Sequence, residues 1–174
     1  MNYTVLGDRD YMIVPYDAEL KAHLRVSDDT DQTLITSYIK AAAHYIEKRV
    51  GYPITTDEIT VMTKAWNYRL DLPRTVTDIT TLEKFDDGVW TDVTIGTVEL
   101  EDYGVYKAYY NEDLEDNLMY RVTCENTATI SPNMKMAAYL LIAEFYENRE
   151  NRNINVSVFR PHVDVLLDTE TSLV

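Results

Sequence analysis

The longest apolar pattern in the chain runs from Ser131 to Arg152, SPNMKMAAYLLIAEFYENRENR. Ser131 stands where a helix N-cap is needed, and Pro132 takes the first helical position, where a missing N–H is harmless. No further proline or glycine interrupts the run, so the spacing predicts a helix of about five turns. Met134, Ala138, Leu141 and Phe145 fall on one stripe, yet Met136, Tyr139, Leu140, Ile142 and Tyr146 cover the remaining sides. A helix apolar nearly all round, and too short in its apolar part to span a bilayer, is expected to be central or covered by another subunit.

Upstream, Asp17 reads as the N-cap of a short helix, Ala18 to Arg25. A second helix is expected over Asp31 to Val50, its apolar stripe traced by Leu34, Tyr38, Ala41 or Ala42, Tyr45 and Ile46. Lys48 and Arg49 favour its C-terminal dipole, Gly51 suits a left-handed cap, and Pro53 stops continuation. From Thr60 the period falls to two. Met62, Trp66, Tyr68 and Leu70 predict one long strand, ended by Leu72-Pro73-Arg74. Val76 to Phe85 and Val89 to Val93 form a hairpin about Asp86-Asp87-Gly88. Ile95 to Leu100 is a weaker strand. Tyr103 to Tyr110 and Leu118 to Glu125 are two more, joined by the acidic tip of residues 111–117. The middle of the chain is thus an antiparallel sheet of roughly four to six strands. Arg160 to Leu167 suggests one or two helical turns.

The expected fold class is α+β: a small helical bundle, two N-terminal helices plus a long C-terminal helix, with an inserted antiparallel β-sheet. We expect a single domain over residues 1–174, with a helical body at 17–52 and 131–168, a β insertion at 58–126, and flexible arms at 1–16 and 169–174.

Composition changes the picture in one direction. The 174 residues carry a formal charge of −14, which argues against a nucleic-acid-binding surface while permitting a duplex to slide past. Fourteen tyrosines suit subunit interfaces, although strands favour tyrosine too. One cysteine, Cys124, excludes an intrachain disulfide and a cysteine-based metal site. The N-terminus has neither a basic nor a long apolar leader segment, so no signal peptide or membrane span is expected.

Candidate chemistry is sparse. The five glycines are isolated and make no phosphate loop. His23, His44 and His162 lie in helical contexts without a nucleophile motif. His44 and Glu47 sit one turn apart, but no further ligands converge on them, and a surface pair is the expectation. Glu144 interrupts the apolar run of the long helix and is expected to pair with a cation of a neighbouring element or subunit. No catalytic residue, metal ligand or cofactor is expected, and the protein is read as a non-enzyme.

The stretches LKAHLRVSDDTDQTLITSYIKAAAHYIEKRVGYPI, LDLPRTVTDITTL, DDGVWTDV and SPNMKMAAYLLIAEFYENRE, in that order, resemble the head–tail connector (adaptor) proteins of tailed bacteriophages. A looser match follows at Pro161, Val163, Val165, Leu166 and Leu167, and the likeness covers roughly residues 17–168. Where many relatives end a strand in V-x-Y-x-x-G, this chain has Val122-Thr123-Cys124-Glu125-Asn126. The resemblance implies a virion protein in a dodecameric ring under the portal, extending the DNA channel and docking tail, stopper or nozzle proteins. Assembly in the bacterial host cytoplasm and residence in the virion neck go with it. Double-stranded DNA would traverse the ring without specific binding, and no membrane is involved. Subunit interfaces are then expected at Tyr139, Glu144, Tyr146, Glu147, Arg149 and Glu150. Portal binding is expected at Phe159, Arg160, Leu166 and Leu167. Tail-facing or channel loops are expected at Asp86, Asp87, Glu112, Asp113, Glu115 and Asp116. The alternatives are another neck or tail-completion ring protein, and a non-virion acidic protein-binding module.

Overall fold

The computed structural model describes residues 4–6, 10–55, 58–95, 98–104, 106–148 and 160–171. Its described elements are four helices and eight strands, and all strand pairs are antiparallel. The fold is α+β, with every described strand but the first inserted between the second and third helices. The chain divides into two compact units, one made of residues 1–9 and Thr55–Ala128, the other of Asp10–Ile54 and Thr129–Val174.

The helical unit holds α1 (Ala18–Leu24), α2 (Gln32–Val50), α3 (Pro132–Glu147) and α4 (Arg160–Thr171). Asp17 caps α1 by accepting the Leu20 N–H at 3.0 Å, and Ser131 caps α3 by accepting that of Met134 at 3.1 Å. Gly51 ends α2 at φ 81°, a conformation open to glycine without strain. The core of the unit is made by Ile35, Ile39, Ala42, Ala43 and Ile46 of α2, Met134, Ala138, Leu141 and Ile142 of α3, and Val163 and Leu167 of α4.

Three expectations are corrected here. The inward stripe of α2 is Ile35–Ile39–Ala42–Ile46–Val50, leaving Leu34 and Ala41 exposed and Tyr38 and Tyr45 half-buried. Branched aliphatic side chains carry no polar atom and lose nothing by complete burial, so tyrosines with a hydroxyl take the margin. Residues 10–16 are no loose arm: Val14 is buried in the helical core, and Tyr11 donates its hydroxyl to Glu47 at 3.2 Å. Residues 169–171 continue α4, which runs 12 residues, because Val163 and Leu167 anchor it at helical spacing.

The strand unit contains two sheets. The larger has the order β1 (Thr4–Leu6), β2 (Ile59–Thr63), β8 (Met119–Asn126), β4 (Val76–Asp86), β5 (Val89–Asp92). The smaller has β3 (Arg69–Pro73), β7 (Tyr106–Tyr110), β6 (Leu100–Asp102). Both contribute to one core of Ile59, Val61, Trp66, Leu70, Leu72, Ile79, Leu82, Tyr109, Tyr120 and Val122. The single long strand expected from Thr60 is two strands in different sheets. Trp66 leaves the ladder: its backbone N–H goes to the Leu118 carbonyl at 2.8 Å, its indole N–H to that of Asn111 at 3.3 Å. The buried Val76, Ile79 and Leu82 of β4 recur every third residue, because two register shifts each insert an extra residue on that strand.

Candidate interaction surfaces

The C-terminal half of α3 was expected to meet a neighbouring subunit. Tyr139 and Glu144 are only 5% and 6% exposed, covered by the chain itself. Tyr139 packs on His23 with ring centroids 5.2 Å apart, beneath the Lys135–Glu19 ion pair at 2.8 Å, and burial pushes its phenol pKa up. The carbonyl of Glu144 accepts both the backbone and side-chain N–H of Asn148, closing the helix. Tyr146 is half-buried, and its hydroxyl donates to the Asp31 carboxylate at 2.6 Å. Asp31 precedes α2 without capping it through its side chain; the Tyr146 bond draws the carboxylate toward α3 instead. Glu147 alone of these four is exposed. The other cover that a helix apolar on many faces requires comes from α1, α2 and α4 of the same chain. Arg149 and Glu150 lie outside the described residues.

The portal-binding set divides similarly. Phe159 lies outside the described residues, and Arg160 begins α4. Leu167 is fully buried and Leu166 half-buried against the helical core. α4 is also tied by charge: Arg49 of α2 pairs with Asp168 and, at 3.5 Å, with Asp164, which further accepts the Tyr45 hydroxyl at 3.3 Å.

The acidic loops, far apart in sequence, are brought together. Lys84 of β4 lies 3.2 Å from Glu115 and 3.9 Å from Asp86, linking the β4–β5 turn to the loop before β8. Both acids hold the Lys84 pKa above its ordinary value, Glu115 foremost. Asp86, Asp87, Glu112, Asp113 and Asp116 are all exposed. The β4–β5 turn itself has Asp87 at φ 48° and Gly88 at φ 85°, the two consecutive positive values that a right-twisted two-residue hairpin requires.

Glu47, expected to form a surface pair with His44, instead accepts hydrogen bonds from Tyr11 and from the Ile54 N–H, tying the segments before and after α2 to it. Among the described residues no group of three or more His, Cys, Asp or Glu is arranged to hold a metal ion, and no helix is long and apolar enough to cross a membrane.

One surface has no counterpart in the sequence reading. On the outer face of the small sheet the Arg69 guanidinium lies 5.3–5.8 Å from the ring centroids of Tyr103, Tyr106 and Tyr110. It donates to Asp71 at 2.7 Å and to the Tyr106 hydroxyl at 2.8 Å, and these bonds hold its pKa further up. Tyr103 stacks on Tyr106 at 5.0 Å and 19°, and Tyr68 on Tyr110 at 6.4 Å and 25°. The Tyr103 hydroxyl bonds Glu101 at 2.5 Å, which with its Tyr110 contact pushes that phenol pKa up. Tyr68 and Tyr103 stay 53% and 47% exposed. Tyr68 adopts φ 43°, costly for a bulky aromatic residue. Beside it lies a cleft of ≈ 370 Å³ lined by Thr63, Asn67, Tyr68, Arg69 and Asp71 among others. The signal that could have found this platform is the spacing of Tyr106 and Tyr110 on one strand face opposite Arg69; assigning Tyr68 to a continuous strand hid it.

The fold has counterparts among solved structures. A chain from the neck of an empty gene transfer agent (GTA) particle, computed with C6 symmetry, matches with a TM-score of 0.74 and 20% identity over 98% of this chain and 95% of that one. A chain from the virion of the native GTA particle gives 0.72 and 21% identity over 97% and 94%. One from the neck of the native particle, computed with C12 symmetry, gives 0.71 and 20% over 98% and 94%. No curated protein matches the sequence. The class defined is that of structural head–tail connector proteins. The chain belongs to the head completion protein family, whose model matches residues 9–158.

Proposed function

We propose that copies of this protein form a ring in the neck of a virion, between capsid and tail, through which the genome passes. The observation that carries the reading is the family match over residues 9–158 joined to full-length likeness in fold to chains from GTA necks. The C12 symmetry of one of those necks favours twelve copies. The portal on one side and tail or stopper proteins on the other are the partners of such a ring, which assembles in the host cytoplasm and does no catalysis. The charge of −14 fits a wall past which DNA slides, because a duplex adheres through phosphate contacts to Lys and Arg.

Within this reading, exposed Glu147 is available to a neighbour, whereas Tyr139 and Glu144 act inside the protomer. The acidic surface about Lys84 faces the channel or the tail. The experiment is cryo-electron microscopy of the neck of particles purified from cells that produce this protein. A closed ring of this chain adjoining the portal is expected. Particles that lack the chain altogether overturn the proposal, and a ring placed elsewhere in the tail refutes the portal contact.

A further inference from the structure

Two exposed surfaces without a role differ in charge. One is the tyrosine platform of Tyr68, Arg69, Tyr103, Tyr106 and Tyr110. The other is the outward side of α2, where Leu34 (37% exposed) and Ala41 stand exposed with Lys40 and Lys48, flanked by half-buried Tyr38, whose ring packs on Phe145. These lysines are eight residues apart, about 12 Å along the helix and roughly 80° apart around it. Six other described cations, Lys21, Arg49, Arg69, Lys84, Arg121 and Lys135, each pair with a carboxylate of the same chain. Lys40 and Lys48, like exposed Arg25 and Lys64, make no such pair, in a protein whose acids outnumber its bases 30 to 16.

We propose that the tyrosine platform of one copy docks on the outward face of α2 of the next copy. This rests on the ring reading above and names the surfaces that join its subunits. The platform has the composition of an interface hot spot, tyrosine and arginine held in place by stacking, so little side-chain freedom is lost on docking. Its rim is acidic: Glu99, Glu101 and Asp102 are exposed, and Arg69 is already engaged by Asp71. A cationic, partly apolar face complements it. Lysine ammonium groups meet tyrosine faces and rim carboxylates, while exposed Leu34 and Ala41 cover the exposed rings. Two lysines in a chain of −14 are too few to hold a duplex, and the exposed Leu34 beside Ala41 serves protein contact better. Each copy carries both unlike surfaces, so the contact is head-to-tail, the type that closes into rings.

The test uses two variants of the full chain, Tyr68→Ala/Tyr103→Ala and Lys40→Glu/Lys48→Glu, all four positions being exposed. Circular dichroism checks that each is folded; a third, Glu101→Lys, stands in for the first if the platform variant unfolds. Rings are followed by native mass spectrometry and negative-stain microscopy across concentration, with and without portal. Each variant alone is expected to raise the ring-forming concentration at least about tenfold. Mixed one to one, they retain one intact platform and one intact α2 face between them, and should give discrete dimers without rings. Lys40→Glu combined with Glu101→Lys in one chain should recover ring formation lost by either. Rings at unchanged concentration in both variants, with wild-type rings forming normally, overturn these surfaces and leave the ring reading standing. Wild-type protein that makes no ring even with portal overturns both. Intact rings in Lys40→Glu/Lys48→Glu together with lowered retention on duplex DNA would assign the α2 face to the genome and refute the docking.

Discussion

Tyr146→Phe removes one oxygen atom from the end of α3 and separates two accounts of that end. In the structure the hydroxyl donates to the Asp31 carboxylate at 2.6 Å, a short charge-assisted bond joining α3 to the start of α2. Hydrogen bonds to charged groups contribute about 1.5–3 kcal/mol when well buried. This one is half-buried, so a value around or just below the bottom of that range applies, about 1–2 kcal/mol. For a chain of this length each kcal/mol moves the melting temperature by roughly 2–4 °C. The isolated variant should therefore melt about 2–8 °C below wild type by far-UV circular dichroism, monitored on the helical signal. Tyr146→Ala also removes ring packing and should cost about 2 kcal/mol more. A Tyr146→Phe monomer that melts within about 1 °C of wild type while its ring yield collapses would refute the intrachain role and return Tyr146 to a subunit interface.

Other expectations test single features. Glu83 receives two bonds from Arg121, at 2.5 and 2.6 Å, and these hold its carboxyl below the ordinary value of 4.5. The ion pair's contribution is full above the unfolded carboxylate pKa and is lost as pH falls through the lower folded value. The stability gap between wild type and Glu83→Gln should therefore narrow below about pH 4.5, as urea midpoints at several pH values will report. Gly88 at φ 85° should resist side chains: Gly88→Val is expected to cost at least about 1 kcal/mol, while Gly88→Asn, which tolerates this region better, should cost less in the same titration. Cys124 is buried, and burial pushes its thiol pKa up to about 12. A maleimide reagent should leave the native protein unlabelled at pH 7 and label it after denaturation, by mass spectrometry.

Local signals carried much of this fold, and their failures have physical causes. Caps at Asp17, Ser131 and Gly51, and the Asp87-Gly88 hairpin, are dictated by a few adjacent residues and are legible as such. Which face of α2 turns inward was not, because an aliphatic and a tyrosine-bearing stripe lie side by side at the same period and only tertiary partners choose between them. The break between β2 and β3 was hidden for a similar reason: alternation continues through Trp66 and Tyr68 although their backbone bonds go to the β7–β8 loop region. Tyr139 and Tyr146 looked like surplus apolar surface for a neighbour, and Leu167 like a portal contact. Their partners His23, Asp31 and the cores of α2 and α3 are distant in sequence, so the cover supplied within the chain could not be read from it. The tyrosine platform needs three strands in register, which no local pattern specifies.

The central claim is that this chain is built to close into a ring at the neck. The most direct measurement is native mass spectrometry and electron microscopy of the purified protein mixed with its portal. The account predicts closed rings of this chain, twelve copies each, seated on the portal; a protein that stays monomeric at every concentration and never associates with portal would contradict it.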